Sequence, residues 1–214
     1  MTGFGYGLLA WIGAGTASQL LPPSRYLTLG GIALALALAS AGLLASTFHL
    51  GRPERAWRAF SQWRSSWLSR EGVASVLTYP VALGFAIAVY HHPHGVAARA
   101  LGAASVLASA GTVFCTAMIY ASLKPIRQWH NAYTAPGYLI HAALSGATLL
   151  ALLCAVALGM PGAAALIAAV CAIIALGAKM LYWRHIDRQS PLATLAEAIG
   201  LPPGTAAKPL DAPH

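Results

Sequence analysis

Six stretches of the chain are apolar, nearly free of charge and close to the length of a membrane-spanning helix. They cover residues 4–21, 26–48, 72–90, 100–123, 135–160 and 163–182. A helix needs about 20 predominantly apolar residues to cross the hydrocarbon core of a bilayer. Only 8% of the 214 residues are charged, against about a quarter in soluble domains. The sequence therefore predicts an all-α, polytopic transmembrane helix bundle with about six spanning helices.

The predicted spans define a membrane domain of residues 1–186. Its first stretch, 4–21, is the weakest candidate span because it is short and rich in glycine. Pro80 lies inside the third stretch, where neighbouring helices can satisfy the backbone groups that it frees. Residues 187–214 are rich in proline, alanine and glycine, a composition that indicates an extended or disordered tail.

Lysine and arginine are unequally divided between the two ends of the predicted spans. Arg25 and Arg99 lie at one end, and the other eleven of the thirteen cations lie at the end that holds both chain termini. These eleven are Arg52, Arg55, Arg58, Arg64, Arg70, Lys124, Arg127, Lys179, Arg184, Arg188 and Lys208. Cytoplasmic loops of membrane proteins are enriched in Lys and Arg. We therefore expect both termini to be cytoplasmic, in a bacterial inner membrane.

Residues 48–72, here called the basic aromatic segment, interrupt the apolar pattern between the second and third spans. Pro53 suits the first turn of a helix. From there Trp57, Phe60, Trp63 and Trp67 recur at spacings of three, three and four, which predicts one face of a short interfacial helix. Positive charges and interfacial aromatic residues account for most of this segment without any further function.

His49 and Glu71 are not explained by interfacial anchoring. His49 ends the second predicted span and Glu71 opens the third, so a returning loop could bring the two side chains together. An imidazole and a carboxyl group at the rim of a lipid-exposed pocket suit quinone chemistry, which needs a hydrogen-bond donor and a group that titrates. An ordinary ion pair of Glu71 with Arg52 or Arg70 is the alternative.

The remaining histidines permit a different function, that of a b-type cytochrome. A haem with two axial histidines would require His141, inside the fifth span, and one of His49, His130 and His185. Otherwise we expect His141 to be a buried, hydrogen-bonded histidine or a second residue of the quinone pocket. We expect no metal in this chain. We expect the cluster of His91, His92 and His94 to form an exposed polar turn.

Transport and nucleic-acid binding are both disfavoured. A transporter would carry ionisable residues at the depth of the membrane centre, where this chain offers only His141. The cations follow a membrane boundary, where anionic lipid or an acidic partner accounts for them without nucleic acid.

Two motifs resemble those of the DmsC family, the membrane anchor subunits of complex molybdoenzymes. They are "FHLGRPERAWRAF" followed by "SWLSREG", and "MIYASLKPIRQWHNAYTAPGYL". The resemblance covers roughly residues 5–185 and places the family's quinol-site histidine on His49 and its glutamate on Glu71. We add four candidate residues of a quinone pocket, Trp63, Arg70, Tyr120 and His130.

The resemblance implies that the chain exchanges electrons between ubiquinone or menaquinone and an iron–sulfur partner subunit. That partner and a molybdopterin-containing catalytic subunit would carry the metal cofactors. We expect partner contacts from five cations, Arg52, Arg55, Arg58, Lys124 and Arg127. Members commonly have eight spans, two more than predicted here.

The opening "GFGYGLLAWIGAG" is more similar to the sulfite-oxidising branch of the family, the SoeC type. The expected cytoplasmic position of the motif-bearing face favours the same branch, since its catalytic partner is cytoplasmic. We therefore expect the anchor of a sulfite dehydrogenase. The anchor of a quinol-oxidising dimethyl sulfoxide reductase is the alternative.

Overall fold

The computed structural model describes residues 1–20, 24–48, 53–189 and 200–202. Within these ranges the chain forms six α-helices, a short 3₁₀ helix at Pro53–Phe60 and no strand. The α-helices are α1 (Thr2–Ala17), α2 (Arg25–Phe48), α3 (Trp67–His91), α4 (Val96–Ala121), α5 (Thr134–Leu158) and α6 (Gly162–Asp187). The prediction of an all-α, polytopic helix bundle is confirmed.

Five of these helices, α2 to α6, are long and apolar enough to cross a membrane. The first predicted span does form a helix, but α1 has only 16 residues. At about 1.5 Å per residue it is shorter than the hydrocarbon core of about 30 Å. The predicted count of about six spans thus corresponds to five long helices and one shorter helix.

The short helix α1 lies at the centre of the bundle. It packs against α2, α4 and α5, while α3 packs against α2 and α4. Residues 5–9 are all buried, so this part of α1 is enclosed on all sides, whereas Phe4 is 49% exposed. The indole nitrogen of Trp11 donates a 2.8 Å hydrogen bond to the carbonyl of Ala143 on α5. A central helix of this kind needs no charged face, which explains its uncharged sequence.

Glycine allows α1 to approach its neighbours closely. A Cβ atom added at Gly7 would overlap the carbonyl of Ala142 on α5, and one at Gly146 would overlap the backbone of Gly7. Small residues permit this kind of backbone contact between membrane helices. The glycines that weaken α1 as an isolated span are therefore the residues that place it in the core.

The chain divides into two compact units, residues 1–179 and 180–214. The second unit contains the last turns of α6, where Gln189 and His185 form a 2.9 Å hydrogen bond. Residues 190–199 and 203–214 lie outside the described residues. The predicted boundary between a membrane domain and a tail at residue 187 therefore stays a prediction.

The basic aromatic segment contains a short helix, but the prediction that its four aromatic residues share one helical face is wrong. The 3₁₀ helix ends at Phe60, residues 61–65 form turns, and Trp67 is the first residue of α3. The hydroxyl of Ser61 donates to the Arg58 carbonyl at 2.7 Å. Serine hydroxyls that bond nearby carbonyls compete with helix continuation, which accounts for the break.

Candidate functional site

Glu71 lies in the second turn of α3, because the helix begins at Trp67, before the predicted start of the third span at residue 72. Its carboxylate oxygen Oε1 accepts a 2.7 Å hydrogen bond from the Thr116 hydroxyl on α4. The side chain is half-buried. Glu71 is therefore held between two apolar helices instead of facing water at a helix mouth.

The Thr116 hydroxyl can form a hydrogen bond with Glu71 in both protonation states of the carboxyl group. This hydroxyl lies within reach of two acceptors, the Glu71 carboxylate and the Thr112 carbonyl at 3.1 Å. A hydroxyl has one proton to donate and two lone pairs. It can donate to the carboxylate, or it can accept from the carboxylic acid while donating to Thr112. Glu71 can gain or lose a proton here without losing this partner.

Arg70 does not pair with Glu71. Its guanidinium donates to the carbonyls of Trp63 at 3.0 Å and Arg64 at 2.7 Å, and it lies 4.3 Å from the centre of the Trp67 ring. Arg70 thus fastens the turn that precedes α3. The alternative of an ion pair between Glu71 and Arg70 is excluded by this arrangement.

His49 and Arg52 lie outside the described residues, so the predicted pairing of His49 with Glu71 stays a prediction. The described part of α2 is joined to α3 by a 2.7 Å hydrogen bond between the Ser40 and Tyr79 hydroxyls.

Tyr6 is a candidate site residue that the sequence patterns did not indicate. Its hydroxyl is buried, and the Ser75 hydroxyl on α3 lies within hydrogen-bonding reach of it. Tyr6 also lies within electrostatic range of Glu71. Because a buried hydroxyl that is left unpaired is costly, each of these two groups is the other's nearest source of a hydrogen bond among the described residues. The one signal in the sequence is the spacing of four between Glu71 and Ser75, which puts both on one helical face.

Three aromatic rings form a wall near the same end of the bundle. The Tyr120 ring stacks on Tyr138 with centroids 5.4 Å apart, and it meets Trp129 edge-on at 5.1 Å. Tyr138 also packs against the buried cluster that contains Tyr6 and lies within electrostatic range of Glu71. The predicted pocket residue Tyr120 is therefore brought towards Glu71, and Tyr138 and Trp129 accompany it.

The two histidines that the structure describes near this end are fixed by backbone carbonyls. His130 Nδ1 bonds the Ala121 carbonyl at 2.6 Å, and His141 Nδ1 bonds the Gly137 carbonyl at 2.8 Å. Because a carbonyl only accepts, each Nδ1 carries a proton and donates it to that carbonyl. The expectation that His141 is buried is wrong, since its side chain is exposed on α5.

The described cationic residues predicted to contact a partner lie away from the buried part of the site. Arg55, Arg58 and Lys124 are exposed, and Arg127 is half-buried. Arg58 lies 5.6 Å from the centre of the Trp57 ring. Trp63, a predicted pocket residue, is 52% exposed and stacks with Arg64 at 5.5 Å. Trp63 thus belongs to the surface of the basic aromatic segment.

No group of three His, Cys, Asp or Glu side chains with metal-binding geometry occurs among the described residues. His91 is the last residue of α3 and His92 caps it. Both side chains are exposed.

Similarity to known proteins extends over most of the chain. The family described as "DMSO reductase anchor subunit (DmsC)" matches residues 21–207. The C subunit of the sulfite dehydrogenase of Allochromatium vinosum is 38% identical over 186 residues, which cover 80% of this chain and 56% of that relative. The chain therefore spans about half the length of the curated relative. No solved structure gives a significant match.

Proposed function

This chain belongs to the DMSO reductase anchor subunit (DmsC) family, and we propose that it passes electrons between the quinone pool and an iron–sulfur partner subunit. A molybdopterin subunit bound to that partner would carry out the reaction on the substrate. The similarity to the C subunit of a sulfite dehydrogenase supports the SoeC-type branch. The proposed direction is therefore from sulfite to ubiquinone or menaquinone.

The observation that carries the quinone proposal is the placement of Glu71. A carboxyl group between membrane helices is costly unless it is used or paired, and its partner here is the neutral hydroxyl of Thr116. An ion pair would hold the carboxylate in one charge state, whereas a threonine hydroxyl permits both. The site therefore suits a group that gives up and regains a proton.

The surrounding groups fit a quinone headgroup. The ring is flat and apolar with two carbonyl oxygens, and the wall of Tyr120, Tyr138 and Trp129 offers aromatic surface for such a ring. Reduction of a quinone takes two electrons and two protons. We propose that electrons arrive from the iron–sulfur partner and that Glu71 and His49 supply protons.

The charge distribution suggests where the partner docks. Arg55, Arg58, Lys124 and Arg127 flank the end of the bundle that holds Glu71, and complementary charges speed and orient protein association. We propose that an acidic face of the iron–sulfur subunit docks on these residues together with Arg52. We also propose that this face is cytoplasmic in the bacterial inner membrane, following the excess of Lys and Arg.

The assembly is tested by copurification of the tagged full chain in mild detergent, with mass spectrometry and a visible absorption spectrum. We expect molybdopterin and iron–sulfur polypeptides, with broad iron–sulfur absorption. The identity of the large subunit separates sulfite from dimethyl sulfoxide as substrate. A chain that purifies alone contradicts the proposal, and sharp reduced haem bands would instead support the cytochrome alternative with His141.

The role of Glu71 is tested with Glu71→Gln, which keeps an oxygen for Thr116 but cannot transfer a proton. General acid–base catalysis contributes about 10²- to 10⁴-fold, so we expect quinone-linked turnover to fall by at least about 100-fold. Substrate oxidation with an artificial acceptor, which bypasses this subunit, should be unchanged. Asp187→Asn is the matched control, because Asp187 is exposed at the end of α6. Normal quinone turnover in Glu71→Gln would disprove the assignment.

A further inference from the structure

The end of the bundle opposite Glu71 carries the two cations that depart from the general charge distribution. Arg25 is the first residue of α2, and Arg99 lies in the first turn of α4. The excess of Lys and Arg at the other end leaves these two arginines to be explained. Arg25 lies beside Tyr90 of α3, which is about 28 Å from Glu71 along the helix at 1.5 Å per residue. Any function of Arg25 is therefore separate from that of Glu71.

Arg25 is held against an aromatic ring where α2 begins and α3 ends. The Ser24 hydroxyl accepts a 3.2 Å hydrogen bond from the Leu27 amide, which caps α2 and fixes its first turn. The guanidinium carbon of Arg25 lies 5.6 Å from the centre of the Tyr90 ring, within the range of a cation–π contact. The His91 and Tyr90 rings meet edge-on at 5.3 Å. Two helix ends thus bring an arginine, a tyrosine and a histidine together.

The charge of Arg25 has no counter-ion at this end in the described part of the chain. No Asp or Glu occurs between residues 1 and 53 or between residues 72 and 186, and these ranges include all three connections at this end. A cation–π contact positions the guanidinium without using up its five N–H donors. The N-terminus of α2 adds a partial positive charge. An anion is therefore the ligand that complements this site.

An exposed apolar strip continues from this site towards the middle of α3. Leu83 and Ile87 precede Tyr90 at spacings that place all three on one helical face, and all three side chains are exposed. Tyr26, next to Arg25, is 87% exposed, and tyrosine is enriched at the boundary between membrane and water. A ligand with an anionic head and apolar chains matches both parts of this surface, whereas inorganic phosphate matches only the first.

We propose that Arg25, Tyr90 and His91 bind the phosphate headgroup of an anionic phospholipid, whose acyl chains lie along Leu83 and Ile87. Arginine forms charge-assisted hydrogen bonds with phosphate, often two in parallel, and the tyrosine hydroxyl and the imidazole can each donate another. A zwitterionic headgroup fits less well, because its ammonium group would find no carboxylate here. The bound lipid joins the ends of α2 and α3, and this site does not depend on the quinone function.

The site is tested by native mass spectrometry of the delipidated complex in detergent, titrated with phosphatidylglycerol or with phosphatidylcholine. We expect phosphatidylglycerol to bind more tightly. Arg25→Gln should weaken its binding about fivefold, the contribution expected of one arginine near anionic lipid, and should leave binding of phosphatidylcholine unchanged. Equal binding of the two lipids by the wild type would overturn the proposal.

Arg99→Gln is the matched control for net charge. Arg99 lies at the same end of the bundle, but its Nε donates a 3.3 Å hydrogen bond to the Ala17 carbonyl at the end of α1. We expect this variant to bind phosphatidylglycerol nearly as well as the wild type. Equal losses in Arg25→Gln and Arg99→Gln would overturn a local site, since they would reflect net charge alone.

The position of the lipid is tested with phosphatidylglycerol that carries a photoactivatable group on an acyl chain. We expect crosslinks to residues 83–91 in the wild type and the loss of most of them in Arg25→Gln. Tyr90→Leu removes the ring but keeps the charge of Arg25 and the apolar strip, and it should weaken the same crosslinks. Crosslinks confined to other helices would contradict the placement.

Thermal unfolding separates lipid binding from a purely structural contact between Arg25 and Tyr90. A ligand that binds the folded state raises its stability, so phosphatidylglycerol should raise the melting temperature of the wild type above its value in phosphatidylcholine. Arg25→Gln should lose only this increment. An equal decrease in both lipids would mean that the contact is structural. If the chain purifies without partner subunits, the proposed function fails, but the same measurements on the chain alone still decide the lipid site.

Discussion

At the scale of single residues, the chemistry of this protein is concentrated in one carboxyl group and its neighbours. Glu71 is placed by α3 and held by Thr116 of α4, and Arg70, its neighbour in sequence, is directed elsewhere. Sequence spacing identifies Glu71 but suggests an ion pair as its ordinary state. The structure gives it a neutral hydroxyl from another helix as its described partner and directs Arg70 elsewhere, while the pairing with Arg52 stays a prediction.

Replacement of Thr116 by valine should weaken both stability and function. Interhelical hydrogen bonds in membrane proteins contribute about 0.6 kcal/mol on average and up to about 1.7. We expect a loss of about 1 kcal/mol in unfolding free energy, measured by denaturant titration in mixed micelles, together with slower quinone turnover. Thr148→Val is the matched control, since Thr148 is exposed and bonds its own helix. Equal effects of the two substitutions would show that the Glu71 contact contributes nothing.

At the scale of helices, the bundle depends on close approach at glycine and on a fastened turn before α3. The central helix α1 touches α5 at Gly7 and Gly146. The turn at 61–65 is held by Arg70, which donates to the carbonyls of Trp63 and Arg64. Both features are contacts between segments, and each can be removed by one substitution.

Gly146→Ala should destabilise the bundle, because the added Cβ would overlap the backbone of Gly7. Overpacking costs about 1–3 kcal/mol, and displaced backbone puts this case at the upper end. Gly137→Ala on the same helix meets nothing within 4 Å, so it should be neutral or slightly stabilising, as alanine favours helix. Thermal unfolding in detergent compares the two, and an unchanged melting temperature in Gly146→Ala would contradict the packing described here.

Arg70→Lys should loosen the turn at 61–65, since an ammonium group cannot reproduce the two-pronged contact of a guanidinium. We expect faster tryptic cleavage after Arg64 in the detergent-solubilised protein. Arg99→Lys, at the opposite end of the bundle, is the control. An unaltered cleavage rate at Arg64 would mean that the turn is held by other contacts.

At the scale of the whole molecule, the unequal distribution of cations predicts how the protein lies in the membrane. The loop between α3 and α4 and the basic aromatic segment belong to opposite ends of α3. His94 and Gln62 are exposed in these two regions. They therefore offer positions where orientation can be measured without disturbing the core.

The orientation is tested with His94→Cys and Gln62→Cys in a background where Cys115, Cys154 and Cys171 are replaced by serine. A membrane-impermeant maleimide added to spheroplasts should label position 94 at once and position 62 only after permeabilisation. This follows from the enrichment of Lys and Arg in cytoplasmic loops. The reverse pattern would invert the orientation and with it the preference for a cytoplasmic partner.

The sequence by itself determined the class of fold and the positions of the helices. Long uncharged runs leave few alternatives in a membrane, because backbone polar groups must be satisfied within each helix. It also identified Glu71, since a carboxyl group is conspicuous in an apolar chain. The prediction that the basic aromatic segment forms one helical face failed, because Arg70 and the serines bond the carbonyls of the turn.

Only the tertiary structure decided which residues meet. It placed α1 in the core, joined Glu71 to Thr116 by a hydrogen bond, left the side chain of His141 exposed and brought Tyr6 beside Ser75. These outcomes depend on helices distant in sequence. In an apolar medium hydropathy does not distinguish one helix face from another, since lipid and helix are equally apolar. Neighbours are instead selected by small residues and scattered hydroxyls, whose partners become evident only when the helices are packed.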